Sequence, residues 1–292
     1  MGVVVLYYGL EAMSKRSRRG SSEYWDQISK RTVDRRSFCP PLVEQRKRVT
    51  LGLVARWGDI KGSRGVLKTD LFEEAFHSGQ ILFDVARVNR NAVGIDISPD
   101  IVARARARSR EYGPDLGQYV CCDVRNLPFP SDSIDLIISN STLDHFPDER
   151  DLFAALKELG RVLCPGGTLI LTIDNKSNLT YPPYFVMRLW MALGLSPFVI
   201  GRTYSLNELK SRLDSIGLSI EEATAIGHYP HPEVLVSGTV RLLHNVSRGR
   251  LDNKISKGLD FLERLGGRRT RFLTGRYLAV KAVKRETQQT AQ

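Results

Sequence analysis

The sequence predicts an α/β protein built on a doubly wound, mostly parallel β-sheet. Three observations predict it. Apolar runs of strand length alternate with helical stretches between residues 65 and 173. Those runs are nearly continuous in apolar character, as strands covered on both faces are. Three acids, Asp70, Asp96 and Asp123, stand at run ends, which right-handed crossovers would gather on one rim at the carboxyl ends of the strands.

The elements follow in order. Gly65–Asp70 reads as a first strand, followed by a long loop and a helix from about Gln80 to Val88. Ala92–Ile97 is a second strand. Ser98 and Pro99 then supply an N-cap and a first-turn proline for a helix running to about Arg110. Gln118–Cys122 and Ile134–Ser139 are the third and fourth strands. Asp148–Leu163 is a helix with acids in its first turn and Arg161 in its last, which suits the helix dipole. Cys164–Gly167 reads as a sharp turn before a fifth strand, Thr168–Ile173. After it comes an apolar, aromatic segment, 181–203, holding Trp190, Phe185, Phe198 and two methionines. A capped helix, Ser205–Ile216, a sixth strand, Leu218–Ala225, a largely helical basic stretch, 232–265, and a last strand, Arg276–Val283, complete the chain. A polar tail beyond Glu286 is expected to be disordered.

Composition bounds the class. Of 292 residues, 42% are hydrophobic and 26% charged, an ordinary globular balance that excludes collagen-like, disulfide-scaffold and wholly disordered chains. The net charge is 43 − 32 = +11. It sits at the ends: residues 13–36 carry +5 and residues 241–285 carry +10, while 37–240 carry −2. A basic end attracts an anionic membrane, a nucleic acid or an acidic substrate, or simply keeps the chain dispersed. Zinc-finger spacing and aromatic-interleaved basic motifs are missing, which argues against nucleic acid. Cys39, Cys121, Cys122 and Cys164 form no Cys-x-x-Cys pair and are expected to be reduced, mostly buried thiols of a cytoplasmic protein. The apolar start Gly2–Leu10 is too short to span a bilayer and precedes its charges, unlike a signal peptide. Residues 1–12 are read as a possible start-site extension.

The motifs carry a resemblance. Val93-Gly94-Ile95-Asp96-Ile97-Ser98, then Cys122-Asp123-Val124-Arg125-Asn126-Leu127-Pro128-Phe129, then Ser133–Ser139 with Thr142–Phe146, and last Arg161–Thr168 occur in a characteristic order. Over roughly residues 60–180 the chain resembles a class I S-adenosylmethionine-dependent methyltransferase, of the kind that acts on small molecules such as quinone precursors. The resemblance implies a seven-stranded Rossmann-like methyltransferase fold with a helical lid insertion. It also implies S-adenosylmethionine as cofactor and a small-molecule methyl acceptor. By the same likeness, Tyr24-Trp25-Asp26 belongs to a segment packing over the cofactor cleft. The expected layout is an N-terminal extension and cap (1–48), a cofactor-binding core (49–180), a lid (181–204), a C-terminal part of the sheet with a basic helical insertion (205–285) and a tail (286–292).

Residue roles follow from the resemblance and from donor chemistry together. One carboxylate can accept from both hydroxyls of a ribose, and Asp96, with Ile97 beside it, resembles that acid. Asp123 with Val124 resembles the pair that holds adenine. Read alone, either acid is equally a helix cap or a turn former. His145 is a candidate proton acceptor, and Asn140 and Ser141 could line the methyl side. Tyr184, Tyr204, His228 and His231 are further candidates, for which packing is the plainer reading. The greasy segment 181–203 points to an apolar or aromatic acceptor, and with the basic C-terminal region to contact with an anionic membrane surface.

One departure matters. The family's first strand ends in an acid and a glycine-rich loop; here Lys68-Thr69-Asp70-Leu71-Phe72-Glu73-Glu74-Ala75 stands there, without glycine. Two readings follow. Either Asp70 or Glu74 meets the cofactor's amino group from a new angle, or the chain is a catalytically inactive, methyltransferase-like binding or regulatory protein.

Overall fold

The computed structural model describes residues 21–33, 40–114, 116–183, 185–187, 189, 201–229 and 233–286. Most of the expected lid, including Trp190 and Phe198, lies outside them. So do Tyr184, His231, Cys39, residues 1–12 and the tail beyond Glu286.

Seven strands form one sheet: β1 (Val66–Thr69), β2 (Ala92–Asp96), β3 (Gln118–Cys121), β4 (Ile134–Asn140), β5 (Leu163–Asp174), β6 (Leu218–Ile226) and β7 (Tyr277–Lys284). Their order is β3-β2-β1-β4-β5-β7-β6. The pairs from β3 through β5 are parallel, and β7 runs antiparallel to both its neighbours. The strand order reverses between β1 and β4, where α/β sheets open a crevice.

Helices cover both faces. They are α1 (Ser22–Val33), α2 (Pro40–Trp57), α3 (Phe72–Phe76), α4 (Ile81–Val88), α5 (Pro99–Tyr112), α6 (Glu149–Val162), α7 (Leu206–Asp214), α8 (Glu233–Ser247), α9 (Asp252–Glu263) and α10 (Arg271–Thr274). Strand residues alternate between two cores. Leu67, Ile137, Leu169 and Leu171 pack on one face with Leu152, Leu156 and Leu159 of α6. Val66, Leu136, Ile138 and Ile170 pack on the other with Val54, Leu82 and Ile101 of α2, α4 and α5. The caps read from the sequence are in place. Ser98 Oγ accepts from Ile101 N, Asp148 caps α6, and Ser205 with Glu208 closes a capping box on α7.

Three expectations need correction. The Cys164–Gly167 turn is a bend inside β5, whose register against β4 jumps between Ile134 and Leu136. Gly166 takes φ +75° there, so the strand bulges and resumes pairing. The five-residue α3 sits in the stretch read as loop. Finally, the thiols are not mostly buried: Cys121 is exposed, Cys122 half-buried and Cys164 buried, all three free. Cys121 ends β3, the sheet's edge strand, which has a neighbouring strand on one side only.

Candidate functional site

The site begins where β1 ends. Asp70 turns the chain with φ +67°, a left-handed backbone that asparagine and aspartate tolerate best after glycine. Its own carboxylate fixes the turn, Oδ1 accepting from Phe72 N at 2.6 Å. The turn therefore needs no glycine. Lys68 locks it from beneath. Its side chain is 1% exposed, and Nζ donates to the Asp70 carbonyl at 2.6 Å and to Glu74 Oε2 at 3.0 Å. Glu73 Oε2 stands 3.7 Å from the same ammonium. Glu74 Oε1 in turn accepts from Leu82 N at 2.7 Å, at the start of α4. Burial alone would lower the Lys68 pKa, but Glu74, Glu73 and Asp70 outweigh it and the net shift is upward. The ammonium stays charged.

Asp96 joins this turn to the one after β2. Its Oδ2 accepts from Leu71 N at 3.0 Å and its Oδ1 from Ser98 N at 2.8 Å. Burial first, then the nearby Asp70 charge, push its carboxyl up to about 7. Gly94, two residues earlier, is where close approach demands glycine. A Cβ there would come within 2.5 Å of both Leu71 Cδ2 and Leu82 Cδ2.

Asp70, Asp96, Ile97, Asp123, Val124 and His145 line one cleft, which holds about 620 Å³ of space, open solvent included. The strand-end acids thus converge as expected. Helix α1 roofs the cleft. Trp25 lines it and meets the His145 ring edge-on, centroids 5.2 Å apart at 68°. Two contacts anchor that helix at the start of α5: Ser98 Oγ donates to Asp26 Oδ1, and Ser29 Oγ to Asp100 Oδ2. Asp123 is less available than the sequence suggests. Both its oxygens are taken by Arg125, through N at 2.8 Å, Nε at 3.0 Å and Nη2 at 2.5 Å, while Arg125 Nη1 reaches Asp151 at 2.8 Å.

Two sequence candidates lie elsewhere. Glu74 is fully buried under the turn, on Lys68, because α3 points it into the core. Asn140 faces a second cavity with Ser141, donating from Nδ2 to Glu73 Oε1 at 3.3 Å and accepting from Thr172 Oγ1 at 2.9 Å. His228 and Tyr204 are buried packing residues; the His228 ring bonds Thr274 Oγ1 at 2.9 Å and the Ala225 carbonyl at 3.0 Å. Sequence reasoning missed the Lys68–Glu74 pair. Among the described residues no group of His, Cys, Asp and Glu could hold a metal ion.

Residues 75–171 match the family described as a methyltransferase domain. A Mycobacterium tuberculosis protein is 33% identical over 99 residues, 34% of this chain and 35% of its own length. The match therefore spans about a third of that relative. Among solved structures, the cyclase SpnF superimposes with TM-score 0.55 at 21% identity, over 82% of this chain and 81% of its own. A structure titled a putative sarcosine dimethylglycine methyltransferase, from Galdieria sulphuraria, gives 0.56 at 16% identity, over 82% and 85%. These two likenesses show the fold.

Residues 75–171, a third of the chain, carry the match to a methyltransferase domain.

The donor set of this methyltransferase domain fits the cofactor. Each Asp96 oxygen spends one acceptor position on a main-chain N–H and keeps another for a ribose hydroxyl. Ile95, Ile97, Ile101 and Val124 give the cleft apolar walls for a purine. Asp70 also lines the cleft, its Oδ1 engaged by Phe72 N. Asp123 fits only if Arg125 shares its carboxylate.

Proposed function

We propose that this methyltransferase domain binds S-adenosylmethionine in the cleft of Asp70, Asp96 and Asp123 and passes its methyl group to a small molecule. One observation carries the reading: Asp96, set by two main-chain N–H groups in a buried position, faces an apolar-walled cleft at the switch point of the sheet. When bound, the cofactor supplies an electrophilic methyl carbon whose bond to sulfur breaks, the electron pair staying on sulfur as S-adenosylhomocysteine.

The chain's own residues supply position and charge. Asp96 orients the ribose, with Ile97 and Val124 against the base. Asp70 takes the amino group, from a turn that Lys68 and Glu74 hold rigid. A cation is favoured by this acid rim. Trp25 and Phe72 keep water out. His145 lines the cleft with Asp70. It takes the proton when the acceptor is a hydroxyl or an amine, while much of the rate comes from alignment alone.

The sequence favoured an apolar or aromatic acceptor on the strength of residues 181–203. Most of that segment lies outside the described residues. The basic stretch 241–285 supports contact with an anionic membrane: its three acids are engaged by His244, Arg48 and Gln45, and Leu242 and Val246 stand exposed on α8. A catalytically inactive binding protein is favoured only by the filled Asp123.

Thermal unfolding of the whole chain with millimolar S-adenosylhomocysteine tests the reading. A ligand bound only by the folded state raises the melting temperature. An unmoved transition, with no methylated product from any acceptor pool, would overturn it.

A further inference from the structure

Two insertions leave the sheet at one rim. β4, β5 and β6 run the same way and end together at Asn140, Asp174 and Ile226, on the edge of the sheet that bears the cleft. One insertion follows β5. The other, residues 227–276, joins β6 to β7 and carries α8, α9 and α10. Hydrogen bonds stitch the two together. Leu179 N donates to the Leu273 carbonyl at 2.9 Å. Asn175 Nδ2 donates to the Phe272 and Gly275 carbonyls at 2.7 and 2.8 Å, and Asn178 Nδ2 to the Thr274 carbonyl at 3.0 Å.

Among the described residues ten large apolar side chains stand exposed, and eight of them belong to these two insertions. Val88 and Tyr112 are the other two. Leu179, 76% exposed, adjoins the exposed Leu273, and Phe185 and Leu189 follow on the first insertion. On α8, Leu242 and Val246 stand four residues apart on the outer side, with Leu243 at its border. The inner side of α8 turns Val240 into a small core with Leu42 of α2, Tyr229, and Leu259 of α9. Opposite Leu259, α9 turns Lys254, Lys257 and Phe261 outward. Cations surround these side chains. Residues 227–276 hold ten Lys and Arg against four Asp and Glu, and Arg248, Arg250, Lys254, Lys257, Arg268 and Arg269 are all exposed. The acids among them are engaged: Asp252 by His244 at 2.8 Å, Asp260 by Arg48 at 2.7 Å and Glu263 by Gln45 at 3.1 Å. Single exposed apolar side chains are ordinary, but gathered ones mark a contact surface. Aliphatic side chains gain little from a phosphate backbone, and cations gain nothing from hydrocarbon. An anionic bilayer interface satisfies both.

We propose, resting on the membrane contact named above, that the outer face of α8 and α9 is a docking surface for an anionic lipid bilayer. Leu242, Val246 and Phe261 enter the boundary between headgroups and acyl chains. Arg248, Arg250, Lys254 and Lys257 meet the lipid phosphates. Because the insertion springs from the carboxyl ends of the strands, docking brings the edge of the sheet that bears the cleft to the bilayer.

Co-sedimentation of the whole chain with vesicles tests the assignment, using phosphatidylcholine alone against a mixture one third phosphatidylserine, at about 0.1 M salt. Binding to the anionic vesicles is expected to exceed binding to the neutral ones at least about tenfold and to fall as salt rises. Arg248→Glu with Lys257→Glu should lower it at least about tenfold, and Leu242→Ser with Val246→Ser at least about fivefold. Val88→Ser, at an exposed apolar side chain outside both insertions, should leave it unchanged. Circular dichroism melts confirm that each variant folds; if one does not, the wild-type comparison between the two vesicles decides. No binding to anionic vesicles, equal binding to neutral ones, or retention by RNA alone would overturn the membrane contact altogether. Anionic binding untouched by Leu242→Ser with Val246→Ser would keep a basic contact and overturn this face. Affinity for S-adenosylhomocysteine is measured separately on the same preparations. Its absence with vesicle binding intact would remove methyl transfer and leave the docking face standing.

Discussion

Asp96 does two jobs with one carboxylate. It ties Leu71 N and Ser98 N together and still offers two acceptor positions to the cleft. Replacing it with alanine should weaken S-adenosylhomocysteine binding by about 1.5–3 kcal/mol, the usual scale for hydrogen bonds to a charged group, while Asp96→Asn should lose less. Lys68 offers a separate test, read by denaturant unfolding. It is buried with Glu74 at 3.0 Å, and removing one member of such a pair costs about 3–5 kcal/mol because the other charge is stranded. Lys68→Met should therefore destabilise strongly, and Lys68→Met with Glu74→Met should recover much of the loss. A double variant no better than the single one would show that the pair does not act as a unit. At this scale the sequence was half legible. A strand-end acid followed by an N-cap marks Asp96, and a strand-end acid in a matching motif marks Asp123, because these patterns are local. That Arg125 fills Asp123, or that α3 turns Glu74 inward onto Lys68, depends on side-chain directions that spacing does not encode.

The roofing helix ties the N-terminal region to the cleft. Ser98 Oγ accepts from Ile101 N and donates to Asp26, so one hydroxyl caps α5 and anchors α1. Ser98→Ala should cost about 0.5–2 kcal/mol as a lost N-cap. Trp25→Ala should weaken cofactor binding by more than it lowers the melting temperature, because its ring faces the cleft and His145. Equal affinity for S-adenosylhomocysteine in Trp25→Ala and wild type would remove α1 from the site. Strands and caps were readable from apolar runs and from Ser98, Asp148 and Ser205. The bend in β5 was not. Pro165-Gly166-Gly167 breaks a strand pattern in any sequence, and only β4 alongside shows that pairing resumes.

Across the whole molecule, buried acids give the protein a pH signature. Burial raises the carboxyl pKa of Asp70, and pushes Glu73 and Asp96 up to about 7 and Asp174 up to about 6. Their folded-state pKa values lie above the unfolded ones, so the folded chain holds protons that the unfolded chain has released. Their stabilising contribution is complete below the ordinary carboxylate range and is lost as pH rises through about 6 to 7. Thermal melts without ligand should show this part of the stability falling between pH 5 and pH 8, and Asp96→Asn should flatten the fall. The positively charged S-adenosylmethionine should stabilise more at pH 8 than at pH 6, where the rim is partly protonated. The parallel order of β1 to β5 followed from alternation and crossover handedness. The antiparallel β7 did not, since it depends on where a distant part of the chain returns to the sheet.

The most direct test is calorimetric titration of S-adenosylmethionine into the wild-type chain and its Asp96→Ala variant at neutral pH. The account predicts saturable one-to-one binding by the wild type, weakened at least about tenfold in the variant. No heat with the wild type at millimolar ligand, or the same affinity in both proteins, would contradict it.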